Sequence, residues 1–68
     1  MYDDERKMSI LNTIQARGSV NVANLAKKYS VSESTIRRDL SSLEKSGFVK
    51  RTHGGAIPIE SSLTEYDY

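Results

Sequence analysis

The stretch "VSESTIRRDLSSLEKSG", residues 31–47, has the pattern of a single amphipathic helix. Ser32 can cap a helix, because Val31 before it and Ile36 after it can close as a hydrophobic staple. Apolar residues then recur at helical spacing until Gly47 stops the helix. The stretch therefore predicts one well-delimited helix of about four turns.

This helix has an apolar face and a polar face. At about 100° per residue, Ile36, Leu40 and Leu43 fall in one narrow stripe that must face the core. The opposite face is polar and carries no acidic residue, while two further residues lie on the flanks of the stripe. The polar face consists of Ser34, Arg38, Ser41 and Lys45, and the flanking residues are Thr35 and Arg37.

Two helices are predicted before it. Asp3 or Asp4 can cap the first, and Gly18 can end it. Asn21 can cap a second helix of about two turns. The apolar stripes are Met8, Ile10, Leu11 and Ile14 in the first helix, and Val22, Leu25, Ala26 and Tyr29 in the second.

The connection "SVS" between the second and third helices is too short for antiparallel packing. It predicts a steep crossing, as in a helix-turn-helix whose second helix enters the DNA major groove. Lys27 and Lys28 face outward on the second helix, where solvent and phosphate contact explain them equally well.

The stretch "FVKRTHGGAIP", residues 48–58, predicts a short hairpin. A Gly-Gly pair allows positive φ without steric cost and therefore suggests a turn at Gly54–Gly55. Val20 is expected to add a third short strand, since two strands alone are marginally stable. The expected core consists of Leu11, Ile14, Leu25, Ile36, Leu40, Leu43 and Phe48, with Tyr29 at its edge.

Composition narrows the class of protein. The chain has 68 residues and no cysteine, so a single small domain must be held by its core alone. Residues 6–58 contain all ten Lys and Arg against three acids, a net charge of +7, which favours a polyanionic partner. We find no transmembrane run or signal peptide and expect a cytoplasmic protein, associated with the nucleoid when bound.

These features predict DNA contact by the third helix. Short hydroxyl side chains allow close approach to base edges and phosphates, and arginine can bind guanine bidentately or clamp a phosphate. The competing interpretation is that Arg37 and Arg38 only solubilise the helix and pair with neighbouring acids. His53, at the hairpin tip, either contacts phosphate or the minor groove or is a structural turn residue.

Residues 6–58 resemble the N-terminal DNA-binding domain of the DeoR family of bacterial transcriptional regulators. The resemblance rests on "VSESTIRRDLSSLEKSG" together with "RTHGGA" at the family's separation. It implies a mainly α fold with a small β-hairpin, a winged helix-turn-helix of three helices plus wing. The recognition helix would span about residues 32–46 and the wing about residues 48–57.

The resemblance, with the reasoning above, yields a set of candidate DNA-contacting residues. It also implies that residues 1–58 form the domain and residues 59–68 a tail or linker. The DNA-binding candidates are Ser32, Ser34, Thr35, Arg37, Arg38, Ser41, Lys50, Arg51, His53 and Gly54.

Full members of the family continue into a C-terminal domain that binds a sugar phosphate or related metabolite and forms the oligomer. We therefore expect a truncated DNA-binding fragment that is monomeric, requires no cofactor and contacts an operator duplex. The whole protein is expected to be a repressor. The alternative is a protein-interaction module without DNA affinity. An enzyme is not expected, because there is one histidine, no cysteine and no acidic cluster with ligand spacing.

Overall fold

The computed structural model describes residues 2–59, which form three helices and one three-stranded sheet. The elements in chain order are α1 (Asp3–Arg17), β1 (Val20–Asn21), α2 (Val22–Tyr29), α3 (Glu33–Lys45), β2 (Val49–Thr52) and β3 (Gly55–Pro58). This arrangement confirms the predicted mainly α fold with a small hairpin, a winged helix-turn-helix.

The helix boundaries follow from local capping. Ser32 caps α3, since its Oγ accepts a hydrogen bond from the Thr35 N–H at 3.1 Å. Asn21 caps α2 in the same way, through the Asn24 N–H at 3.1 Å. Both predicted caps are confirmed, and the predicted recognition helix matches α3 with its two cap residues.

The start of α1 differs from the prediction. Its N-cap is Tyr2, which provides no side-chain cap, so the expected capping by Asp3 or Asp4 is wrong. Both aspartates lie inside the first helical turn, where their charge suits the helix dipole. The predicted end is confirmed, because Gly18 has a φ of 88° and its N–H donates to the Ile14 carbonyl at 2.8 Å.

The sheet is antiparallel in the order β1-β3-β2. Val20 pairs with Ala56, so the predicted third strand is confirmed. The turn between β2 and β3 consists of His53 and Gly54, with a φ of 88° at Gly54, rather than of the Gly-Gly pair. Gly55 already belongs to β3, where a Cβ would lie 1.9 Å from the Val20 carbonyl oxygen. Close approach of backbone to backbone explains this second glycine.

The core lies where the three helices meet the sheet. Every helix supplies three of its members, and β2 and β3 supply one each. Tyr29 packs at the edge, as predicted. The buried apolar residues are Ile10, Leu11, Ile14, Val22, Leu25, Ala26, Ile36, Leu40, Leu43, Val49 and Ala56.

Phe48, expected in the core, and Met8, expected in the apolar stripe of the first helix, are both exposed. Phe48 is 51% exposed because its neighbour Val49 takes the inward position at the start of β2. Met8 is 58% exposed, since it lies roughly 110° around α1 from the centre of the stripe formed by Ile10, Leu11 and Ile14. Among residues 2–59, no helix has the length and apolar character needed to cross a membrane.

Candidate DNA interface

The outward face of α3 carries the polar residues that the helical spacing predicted. Ile36 and Leu40 are fully buried and Leu43 nearly so, which shows which side of the helix faces the core. The opposite side is open to solvent along its whole length. The exposed residues there are Ser34, Arg38, Ser41 and Lys45.

The first turn of α3 begins with a serine that caps the helix and is also exposed to solvent. Ser32 stays exposed while its Oγ caps the helix, and this oxygen also lies 3.0 Å from the Thr35 hydroxyl oxygen. Thr35 is half-buried on the flank of the core stripe. Ser32 and Thr35 were both predicted to contact DNA. They lie together at the N-terminal end of α3, beside the exposed Ser34.

The two adjacent arginines have different surroundings. Arg37 Nη2 lies 3.0 Å from Glu33 Oε1, one helical turn earlier, in a pair whose side chains are both about half exposed. Arg38 is exposed. Its guanidinium donates no hydrogen bond to any of residues 2–59 and forms no ion pair with them. A surface i, i+4 pair contributes only about 0.3–0.5 kcal/mol, so Arg37 can also leave Glu33 at little cost.

Arg51 of β2 lies against the same face of α3. Its Nη1 donates to Ser41 Oγ at 2.7 Å and to the Arg37 carbonyl at 3.5 Å. Its backbone N–H donates to Glu44 Oε2 at 3.0 Å. Within residues 2–59, Arg51 Nε is buried without a hydrogen-bond partner. The wing and α3 are thus joined into one surface through Arg51.

The wing tip is fastened to the start of α2. The Val22 N–H donates to the Gly54 carbonyl at 2.9 Å, which places the exposed His53 beside that helix. Lys50 is exposed on β2, on the side of the strand opposite to Arg51. The wing residues that were predicted to contact DNA therefore lie in three different places. Arg51 adjoins α3, Lys50 projects away from it, and His53 with Gly54 adjoins α2.

Arg17, Lys28 and His53 line one open cleft of about 610 Å³ between α1, α2 and the wing tip. Lys27 does not line it. The two neighbouring lysines, which the sequence treats alike, therefore have different environments.

A buried ion pair beside the interface was not predicted from the sequence. Arg6 of α1 is 7% exposed and Asp39 of α3 is 3% exposed. Arg6 Nε donates to Asp39 Oδ2, while Arg6 Nη2 donates to Asp39 Oδ1 at 3.1 Å and to Asp3 Oδ1 at 3.0 Å. The hydrogen bonds to Asp39 raise the pKa of Arg6 above its ordinary value. The sequence does indicate that Asp39 lies near the core, because it is about 60° around the helix from Ile36 and hence beside the core stripe.

Comparison with known proteins identifies the class. The family model of the DeoR-like helix-turn-helix domain matches residues 6–62. The uncharacterized HTH-type transcriptional regulators YulB and FruR of Bacillus subtilis are 41% and 43% identical over 94% and 98% of this chain. The lactose phosphotransferase system repressor of Streptococcus mutans is 41% identical over 82% of it. The matches cover 25%, 27% and 22% of those three proteins, so the chain spans about a quarter of their length.

The family consists of transcriptional regulators that bind DNA and are not enzymes, in agreement with the composition of the chain. The match includes α1 from Arg6 onward, the whole of α2 and α3, and the wing. The "TIRRDL" and "THGGA" segments of the chain lie on α3 and at the wing tip. The chain belongs to the DeoR-like helix-turn-helix family of DNA-binding transcriptional regulators.

Proposed function

We propose that this chain is the operator-reading module of a transcriptional repressor, with α3 lying in the major groove of double-stranded DNA. The observation that carries the proposal is the outward face of α3. Arg38 is free of partners among residues 2–59 and has the exposed hydroxyls of Ser34 and Ser41 on its two sides along the helix. Arginine and serine on one exposed helix face supply the donors that read base edges.

We assign a base contact to one of the two adjacent arginines and a phosphate contact to the other. Arg38 lies near the centre of the exposed face and reads a base, with guanine O6 and N7 as the matching acceptors. Arg37 lies toward β2 and clamps a phosphate after it leaves Glu33. Phosphate contacts of this kind fix the position of the helix on the duplex, while base contacts provide sequence preference.

The wing extends the contact along the backbone. Lys50 and His53 are exposed, and the peptide groups around Gly54 are not shielded by a side chain at that residue. They supply phosphate or minor-groove contacts, whereas Arg51 holds Ser41 and the Arg37 carbonyl in place beside the major groove. Ser32 and Thr35 approach the phosphates at the start of α3.

The remaining parts of the proposal concern the whole protein. The matched relatives extend far beyond the part that this chain resembles, and one of them is named a repressor of a lactose phosphotransferase system. A further domain would bind a sugar-phosphate-type effector and form a homo-oligomer in the bacterial cytoplasm. The module by itself is then a monomer that requires no cofactor.

Selection from a library of random duplexes tests the proposal. We expect enrichment of one short sequence, and an affinity for it that falls steeply with salt, with a log–log slope of about −0.9 per phosphate neutralised. A shuffled duplex of the same composition is the control and should bind more weakly at every salt concentration. Absence of measurable duplex binding at low salt would contradict the proposal and favour a protein-interaction module.

A further inference from the structure

A charged pair is buried between the first turns of α1 and the middle of α3. Arg6 and Asp39 are each more than nine-tenths buried and are joined by two hydrogen bonds, one from Nε and one from Nη2 of the guanidinium. They are the only buried charged residues among residues 2–59. Neither residue belongs to the apolar stripes of α1 and α3, each of which buries three apolar residues.

Burial of such a pair is not explained by stability. Removing two charges from water costs several kcal/mol per ion, and replacing a buried pair by apolar residues of similar volume is often neutral or stabilising. Pairs of this kind are best attested where they fix one arrangement among several that apolar packing would tolerate. The question is therefore which arrangement Arg6 and Asp39 fix.

Their position indicates the rotation of α3. Asp39 directly precedes Leu40 in the core and directly follows Arg38 on the outward face. Interhelical crossing angles scatter by about 15–20° around their preferred values, so apolar packing alone does not define the exact orientation of a helix. A rotation of about 20° moves a side-chain end at ~6 Å from the helix axis by about 2 Å, which is enough to break a hydrogen bond to a base edge. A two-point bond from α1 to the neighbour of Arg38 limits this rotation.

The pair also neutralises the Asp39 carboxylate, which lies beside the outward face of α3. Asp39 lies on the same open cleft of about 510 Å³ as Arg38, together with Thr35 and Lys7. An unpaired carboxylate at this place would attract the Arg38 guanidinium and repel a phosphate. Bonding to Arg6 turns the carboxylate inward and satisfies it there.

We propose that Arg6 and Asp39 are positioning residues for DNA reading: their buried pair fixes the rotation of α3 and thereby aims Arg38 at its base. This inference rests on the proposed function. Arg6 lies on α1, the helix farthest in sequence from the wing, so the proposal extends the determinants of sequence preference beyond α3.

The double variant Arg6→Met with Asp39→Leu tests it, because it preserves the net charge and replaces the pair by apolar side chains of similar size. We expect a melting temperature equal to or higher than that of the wild type. The ratio of affinities for the selected and the shuffled duplex should nevertheless fall about fivefold or more, while the salt slope stays unchanged. A purely structural role would lower the melting temperature on removal of the pair and leave this ratio intact.

Two further variants complete the experiment. Asp3→Asn removes the exposed partner of Arg6 and should leave the affinity ratio within about twofold, since exposed pairs contribute little. Arg6→Lys keeps the charge but loses the two-point geometry, and it should lower the ratio even if the double variant does not fold. An unchanged ratio in the folded double variant or in Arg6→Lys would overturn the inference alone. A wild type without any preference for one duplex would instead overturn the proposed function.

Discussion

At the scale of single residues, the adjacent arginines of α3 provide a matched pair of variants. Both are exposed, both carry one positive charge and both lie on the same helix, but only Arg37 has an acidic partner among residues 2–59. Replacing either by alanine removes the same charge from the chain. Differences between the two variants therefore report on position and not on net charge.

For Arg38→Ala, we expect a loss of about 1–3 kcal/mol in the free energy of binding to the selected duplex, with a relaxed preference at one base position. The reason is that a bidentate contact to one base would be lost. For Arg37→Ala, we expect uniformly weaker binding to all duplexes and a log–log salt slope that is shallower by about one unit. Fluorescence anisotropy titrations over a series of salt concentrations measure both quantities.

The two variants check each other. If Arg38→Ala weakens the selected and shuffled duplexes equally, Arg38 does not read a base. If Arg37→Ala leaves the salt slope unchanged, Arg37 does not hold a phosphate.

Residue-scale features also show where sequence reasoning reaches its limit. The inward side of α3 could be predicted, because three apolar residues at helical spacing leave only one inward direction. The pairing of Arg6 with Asp39 could not, since the two residues are 33 positions apart and only the packing of α1 on α3 brings them together. The same holds for Arg51, whose contact with Ser41 depends on how β2 approaches the helix.

At the scale of elements, the hairpin turn and the strand pairing demand glycine for different reasons. Gly54 has a positive φ of 88°, and a Cβ placed there would meet no atom within 4 Å. Gly55 would place a Cβ against the Val20 carbonyl, which belongs to the neighbouring strand β1. The sequence indicated a glycine turn but could not separate the two roles, because the second one depends on a strand 35 positions earlier.

These roles predict different costs for the same substitution. Gly54→Ala should lower the free energy of unfolding by about 1 kcal/mol, the cost of a left-handed backbone for an ordinary residue. Gly55→Ala should cost more, about 3 kcal/mol, because the backbones of β1 and β3 must separate. Urea denaturation followed by circular dichroism measures both values, and a smaller loss for Gly55→Ala than for Gly54→Ala would contradict the assigned pairing of β1 with β3.

Element boundaries were predictable where side chains cap the backbone. Ser32 and Asn21 fulfil that role, as their oxygen atoms bond to N–H groups three residues later. The start of α1 was misjudged because either aspartate has the chemistry of a cap, whereas the helix extends to include both. Phe48 was misplaced because a run of two apolar residues does not show which of them begins the inward side of a strand.

At the scale of the whole molecule, we propose that the DNA-binding surface lies on one side of the domain. The core joins α1, α2, α3 and the sheet, and the outward faces of α3 and β2 are connected through Arg51. The positive charge of residues 6–58 supports binding to DNA in general, but it does not show which surface makes the contact. To identify the surface that contacts DNA requires a measurement that reports on many residues at once.

The most direct measurement is a titration of the ¹⁵N-labelled chain with the selected duplex, followed by amide chemical shifts. We expect the largest shifts at Ser34, Arg38 and Ser41, with smaller shifts at Lys50 and His53. Residues on the exposed side of α1, such as Asn12 and Gln15, serve as the internal control and should move little. Shifts that concentrate on α1 while Ser34, Arg38 and Ser41 remain unchanged would contradict the claim that α3 reads the DNA.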